Sequence, residues 1–201
     1  MKNILHISSS PRGEASNSIL LANRVISNLL EKYPESKVIH NDTVKKDYAH
    51  LDSVLQGAYF TLPTDRTALQ EEAIQDSEEA VAQLEDADVI IISVAMYNFS
   101  IPSALKAWID HVVRAGKTFS YGNGKPEGLL SSNKKVYLAI ASNGVFTEGP
   151  LKALDFTEPY LRFILSFIGL TDITTYRIEG AGMPDLKETA VEKGLQQVAV
   201  A

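Results

Sequence analysis

The sequence predicts an α/β protein: a three-layer, doubly wound parallel sheet of five strands, in the order 2-1-3-4-5, with helices on both faces. Three observations predict it. Short apolar runs alternate five times with longer stretches of helical spacing, the pattern of parallel strands joined by crossover helices. The central run, Val89-Ile90-Ile91-Ile92, is apolar at every position, as in a strand buried on both faces. No internal repeat and no linker interrupts the 201 residues, so residues 1–201 read as a single domain.

The elements follow in order. Ile4 to Ser8 is the first strand, and a loop from Ser9 to Ser18 leads into a helix over Ile19 to Lys32. Ser16 or Ser18 is placed to cap that helix. Lys37 to Asp42 is a shorter second strand. From Thr43 to Thr64 the chain reads as irregular, with Tyr48, Tyr59 and Phe60 as candidate packing or lid residues along with Tyr121. Asp65 is the expected cap of a helix from Thr67 to Leu84. The third strand begins at Val89 and the next helix runs from Ser103 to Ala115, ended by Gly116. A long connection from Lys117 to Asn133 precedes a strand from Val136 to Ala141. Asp155 to Ile168 is helical, Ile173 to Ile178 is the fifth strand, and Leu186 to Val198 is a closing helix.

Composition removes several chemistries. The net charge of -6 is mild and the acidic residues are dispersed, which argues against nucleic acid and anionic membranes as partners. With no cysteine, there is no disulfide, thiolate nucleophile, iron–sulfur cluster or cysteine-ligated zinc. His6, His40, His50 and His111 lack metal-ligand spacing, so no metal site is expected. No apolar run approaches a membrane span, and the run after Met1 is too short for a signal peptide, so a cytoplasmic protein is expected.

Two stretches carry chemistry on independent grounds. The loop after strand 1 is rich in hydroxyls (Ser10, Ser16, Ser18) and enters a helix N-terminus, where backbone N–H groups and the helix dipole attract a phosphate. It matches neither nucleotide fingerprint, G-x-x-x-x-G-K-[ST] or G-x-G-x-x-G. After strand 3 comes Met96-Tyr97-Asn98-Phe99, two aromatics and an amide. Read alone, it suits a planar heterocycle with polar edges, or a loop whose rings pack on the next helix. In the order 2-1-3-4-5 the ligand crevice lies between strands 1 and 3, which brings both loops together. Ser142-Asn143-Gly144-Val145, after strand 4, lies beside it. A phosphate at strand 1 and a flat ring against strands 3 and 4 describe flavin mononucleotide (FMN), in part by analogy with another protein of this strand order.

The residues also carry a resemblance. Ser10-Pro11-Arg12-Gly13 followed by Ser16-Asn17-Ser18, then Met96-Tyr97-Asn98-Phe99, then Arg114-Ala115-Gly116-x-Thr118-Phe119, resemble the flavodoxin-like FMN-dependent NADH-azoreductases, also called NADH:quinone oxidoreductases. The likeness continues through Pro126-Glu127-Gly128-Leu129 to Phe167-Ile168-Gly169. It implies that Ser10, Ser16, Asn17 and Ser18 hold the FMN phosphate. It implies that Met96, Tyr97, Asn98 and Phe99 line the isoalloxazine, and that Ser142, Asn143, Gly144 and Val145 meet its pyrimidine end. The family often has a second glycine where this chain has Val145. The resemblance further implies a homodimer in which NADH reduces the flavin, and a small-molecule quinone or azo substrate then takes the electrons. No side chain is expected to act as a covalent catalyst.

A flavodoxin-type electron carrier without its own small substrate is the competing class, and it suits a more acidic recognition face than this one. A phosphorylated receiver domain would place acidic residues after strand 1, where Ser8-Ser9-Ser10 stand instead.

Overall fold

The computed structural model describes residues 1–199, apart from the side chain of Asn123. The strands in chain order are β1 (Asn3–Ser8), β2 (Lys37–Asp42), β3 (Val89–Ala95), a short pair β4 (Phe119–Ser120) and β5 (Glu127–Gly128), β6 (Lys135–Ala141) and β7 (Asp172–Ile178). Five of them form one parallel sheet in the order β2-β1-β3-β6-β7, while β4 and β5 pair antiparallel on their own. Numbered among themselves, the five sheet strands run 2-1-3-4-5. The helices are α1 (Asn17–Lys32), α2 (Thr43–Lys46), α3 (Ser53–Phe60), α4 (Ala68–Asp86), α5 (Ser103–Val112), α6 (Glu158–Phe167) and α7 (Ala190–Gln196).

Side chains alternate across the sheet with period two, and each face builds its own core. Leu5, Ile7, Ile90, Ile92 and Leu138 face α4, α5 and α6, with Trp108 and Leu161 buried among them. Ile4, Val89, Ile91, Tyr137 and Ala139 face α1 and α7, with Leu21 and Val25. Val89 to Val94 are buried without interruption, which is why the third strand reads as a continuous apolar run.

The irregular reading of Thr43 to Thr64 is corrected: α2 and α3 occupy most of it. Asp42 accepts from Val44 N and Lys45 N, and Asp52 from Val54 N and Leu55 N, so each helix has a carboxylate cap. Both are too short for periodicity to reveal. The cap of α4 is Thr67, not Asp65. Thr67 Oγ1 accepts from Gln70 N (3.3 Å), and Gln70 Oε1 accepts from Thr67 N (3.0 Å), a reciprocal capping box. Helix α5 stops at Val112 rather than Ala115, because Thr118 Oγ1 donates to Val112 O at 2.6 Å and accepts from Arg114 N at 3.0 Å. The last two helices are also shorter than their apolar patterns suggest.

Candidate functional site

The sheet's carboxyl end carries three loops that meet. The first follows β1. Ser9 Oγ donates to Ser93 O (3.0 Å), tying this loop to β3. Arg12 N donates to Ser10 Oγ (3.3 Å), and Gly13 N to Ser10 O (3.2 Å). Ser10, Ser16 and Ser18 are buried. Ser16 stands at the N-cap of α1, but its hydroxyl makes no capping bond; it lies 2.9 Å from Ser18 Oγ. The first amides of a 16-residue helix are thus left to another acceptor, at the positive end of its dipole.

The second loop follows β3. Met96 N donates to Ala141 O (2.9 Å), so the loop starts against β6. Tyr97 and Ser100 exchange two backbone hydrogen bonds of 3.0 Å each, around Asn98 (φ 49°) and Phe99 (φ 69°). Two central residues with positive φ define a type I′ turn. Asn tolerates that backbone, whereas Phe does so only under strain. Two contacts hold Phe99 in place. Its carbonyl accepts from Phe156 N (3.1 Å), and its ring meets the edge of Phe146 with centroids 6.3 Å apart.

The third loop follows β6. Ser142 N donates to Ile178 O (2.9 Å), and Ser142 Oγ to Gly144 O (2.8 Å). Two cavities of about 240 Å³ each open here. One is walled by Arg12, Ser16, Asn17 and Tyr97, the other by Asn98, Phe99, Gly144 and Phe146, and both by Met96, Ser142 and Asn143. The structure therefore brings together Ser16, Asn17, Met96, Tyr97, Asn98, Phe99, Ser142, Asn143 and Gly144. Ser10 and Ser18 stand behind this wall, bonded to residues of their own loop. Val145 lines a different, charged groove with Arg177 and Glu179. Arg12 and Phe146 were missed in the sequence. Arg12 had a signal, as the one cation between Ser9 and Ser18; Phe146 had none.

Three larger cavities among the described residues do not displace this assignment; one of about 280 Å³, walled by His40, Asp42 and Lys46, lies apart at β2 and α2. The charged groove, about 480 Å³, is walled by Glu158, Arg177 and Glu179, which are already paired with one another. A cleft of about 560 Å³ between Pro11, Val44 and Ile101 shares Tyr97 and Asn98 with the site and forms its flank.

Beneath the site, His6 is buried in β1, with Nε2 3.0 Å from Ser93 Oγ and Nδ1 3.2 Å from His40 Nδ1. Burial pushes its pKa down to about 4; nearby His40 adds to this and Asp42 opposes it. His111 is also lowered by burial, opposed by its Nε2–H donating to Ala49 O (2.9 Å). The candidate lid residues divide. Tyr48 packs edge-on against His111, and Tyr59 donates to Asp110 O (3.1 Å) beneath the Arg114 guanidinium. Phe60 and Tyr121 are exposed.

The chain is similar to known proteins in sequence and fold. The model of the family described as flavodoxin-like fold matches residues 2–200. An FMN-dependent NADH:quinone oxidoreductase from Beijerinckia indica subsp. indica is 44% identical over 199 residues, 99% of this chain and 98% of that protein. A protein of the same name from Herminiimonas arsenicoxydans is 46% identical over 183 residues, 91% of this chain and 89% of that one. The crystal structure of an azoreductase from Bacillus anthracis str. Sterne superposes with a TM-score of 0.90 at 28% identity, covering 98% of this chain and 96% of that one. An FMN-dependent NADH-azoreductase from Bacillus anthracis str. Ames Ancestor, solved in complex with FMN, shares the fold at a TM-score of 0.87 and 21% identity, covering 97% and 95%.

Proposed function

Because this chain belongs to the flavodoxin-like family of the FMN-dependent NADH:quinone oxidoreductases, we propose that it binds FMN and uses NADH to reduce quinones and cleave aromatic azo bonds. The observation that carries the reading is the meeting of three loops, from β1, β3 and β6, around two adjoining cavities. The residues fit the cofactor. An uncapped helix N-terminus beside buried serines suits a terminal phosphate. A strained aromatic turn opposite an amide-rich loop suits a flat ring with polar edges.

In this reading Ser16 and Asn17 face the phosphate, with Arg12 adding positive charge. Ser10 and Ser18 support them from behind. Met96, Tyr97 and Phe99 pack on the ring and Asn98 offers its amide to a polar edge. Ser142, Asn143 and Gly144 meet the pyrimidine end, and Val145 contributes through its backbone. The flavin, when bound, supplies the hydride chemistry. The protein excludes water and aims donors at developing negative charge.

A single cleft admits donor or acceptor in turn, so turnover is ping-pong. A quinone plus NADH and one proton yields hydroquinone and NAD⁺. An azo bond needs four electrons: two NADH and two protons yield two amines and two NAD⁺. We further propose a doubly wound single domain over residues 1–201 that works as a homodimer, with NADH as donor arguing for the cytoplasm.

The test is a visible spectrum of the purified protein, followed by anaerobic mixing with NADH. A flavin spectrum that bleaches directly is expected, with parallel double-reciprocal plots against NADH at several quinone concentrations. A flavin that stays oxidised under NADH would instead support an electron carrier, and intersecting plots would remove the ping-pong order.

A further inference from the structure

The loop after β6 does not hold its shape alone. Ser142, Asn143 and Gly144 each present a carbonyl to the Glu179-Gly180-Ala181-Gly182 loop that follows β7. Gly180 N donates to Gly144 O (3.1 Å), Ala181 N to Ser142 O (3.4 Å) and Gly182 N to Asn143 O (3.1 Å). A trans peptide is planar, so the N–H that follows each carbonyl points the opposite way. The N–H groups of Asn143, Gly144 and Val145 are thereby turned away from the second loop. None of the three donates to an acceptor among the described residues. This close approach requires glycine: a side chain at Gly182 would begin 2.8 Å from Asn143 Cβ, and Gly180 has a φ of 76°.

Glu179 fixes the far end of the same loop. Its Oε1 accepts from Phe146 N (2.8 Å) and from Arg177 Nη1 (3.2 Å), and its Oε2 accepts from Thr147 Oγ1 (2.5 Å). Arg177 is held in turn by Asp155 and by Glu158 (2.7 Å). Phe146 then passes the constraint on through its ring contact with Phe99. Glu179 itself does not line either cavity of the candidate site.

We propose that Glu179 is a positioning residue: anchored by Arg177, it clamps Phe146 and Thr147 so that the amides of residues 143–145 stay aimed at the electron-rich edge of the bound ring. This rests on the FMN reading above. A half-buried carboxylate holding a salt bridge for stability alone would leave the ring's environment untouched, and that difference is measurable.

The full-length protein is titrated with FMN and, separately, with riboflavin by quenching of flavin fluorescence, and the midpoint potential of the bound flavin is measured. Glu179→Ala is expected to weaken both flavins by the same factor, about tenfold, because losing its hydrogen bonds to Phe146 N and Thr147 Oγ1 releases the loop that meets the ring and leaves the phosphate end intact. The midpoint potential is expected to become more negative, since donors aimed at the ring favour its reduced, anionic state. Glu179→Gln keeps an oxygen for Phe146 N and is expected to restore most of both. Arg162→Ala breaks the neighbouring pair with Glu158 (2.7 Å) without touching residues 142–147, and is expected to change neither. Wild-type affinity and potential in Glu179→Ala, or an equal loss in Arg162→Ala, overturns the proposal. Where Glu179→Ala does not fold, Thr147→Val removes one contact to Oε2; a smaller shift in the same direction supports the role and no shift overturns it. A wild-type protein that binds neither flavin overturns the FMN reading, and this proposal with it, so the two failures are distinct.

Discussion

Asn98 has two tasks that one substitution confounds. Its backbone sits at φ 49° in the turn, and its side chain walls the cavity. Alanine would lose the amide and also strain the left-handed backbone, whereas glycine loses only the amide. Asn98→Gly is expected to unfold at the wild-type temperature yet bind FMN several-fold more weakly and react more slowly with NADH, even at saturating FMN. Asn98→Ala is expected to show the same functional loss plus about 1 kcal/mol of lost stability. Wild-type flavin affinity in Asn98→Gly would take the amide out of the site. His6 supports a prediction of its own. Its native pKa is about 4, against an unfolded value of 6.5. Between those values the unfolded chain binds a proton that the folded chain refuses, so stability falls as pH drops from 6.5 to about 4 and is unaffected by this group above 6.5. The total loss amounts to roughly 3 kcal/mol. Urea unfolding across that window is expected to show a shallower decline in His6→Gln than in wild type; identical slopes would mean His6 is not held neutral.

At the level of elements, the position of α1 matters more than any one serine. Its amides are uncapped, and Ser16 and Ser18 bond each other rather than the helix. Replacing both with alanine is expected to weaken FMN by about tenfold and leave riboflavin nearly unchanged, since only FMN brings the phosphate. Equal loss for both would remove the phosphate assignment. Elements also show what a sequence can carry. The five sheet strands and the long helices were legible because apolar periodicity needs only local residues to be seen. Helices α2 and α3 span 4 and 8 residues, so their caps at Asp42 and Asp52 were the sole signals. The capping box of Thr67 and Gln70 was written in the chain, but Asp65, two residues earlier, drew the assignment. The crevice loops were legible through strand order. The reach of Glu179 to Phe146 was not, because it spans 33 residues and depends on β6 and β7 lying side by side.

For the whole molecule, a band of rings runs along α6 and the loop that begins at β4. Phe163 is 67% exposed and Tyr121 68%, both unusual for aromatics. They are not isolated: Phe163 stacks on Phe167 (6.4 Å), Phe167 packs at a tilt against Phe119 (4.8 Å), and Phe119 meets Tyr121 edge-on (5.5 Å). The contacts join α6 to the loop that begins at β4. Phe156, also exposed, begins the approach to α6 and donates its N–H to Phe99 O (3.1 Å), which ties the band to the turn at the cavity. Contiguous exposed apolar surface marks a partner site, and a second copy of this chain is the partner we propose. We propose that a two-fold contact through this band, tied to the turn by Phe156, couples dimerisation to flavin binding. Sedimentation velocity at micromolar concentration is expected to give a dimer. The pair Phe163→Ser and Tyr121→Ser is expected to shift it towards monomer and to weaken FMN, although neither residue lines the cavities within one chain. A wild-type monomer with full activity would refute the dimer. A double variant that is monomeric yet binds FMN at wild-type strength would keep the dimer and break the coupling.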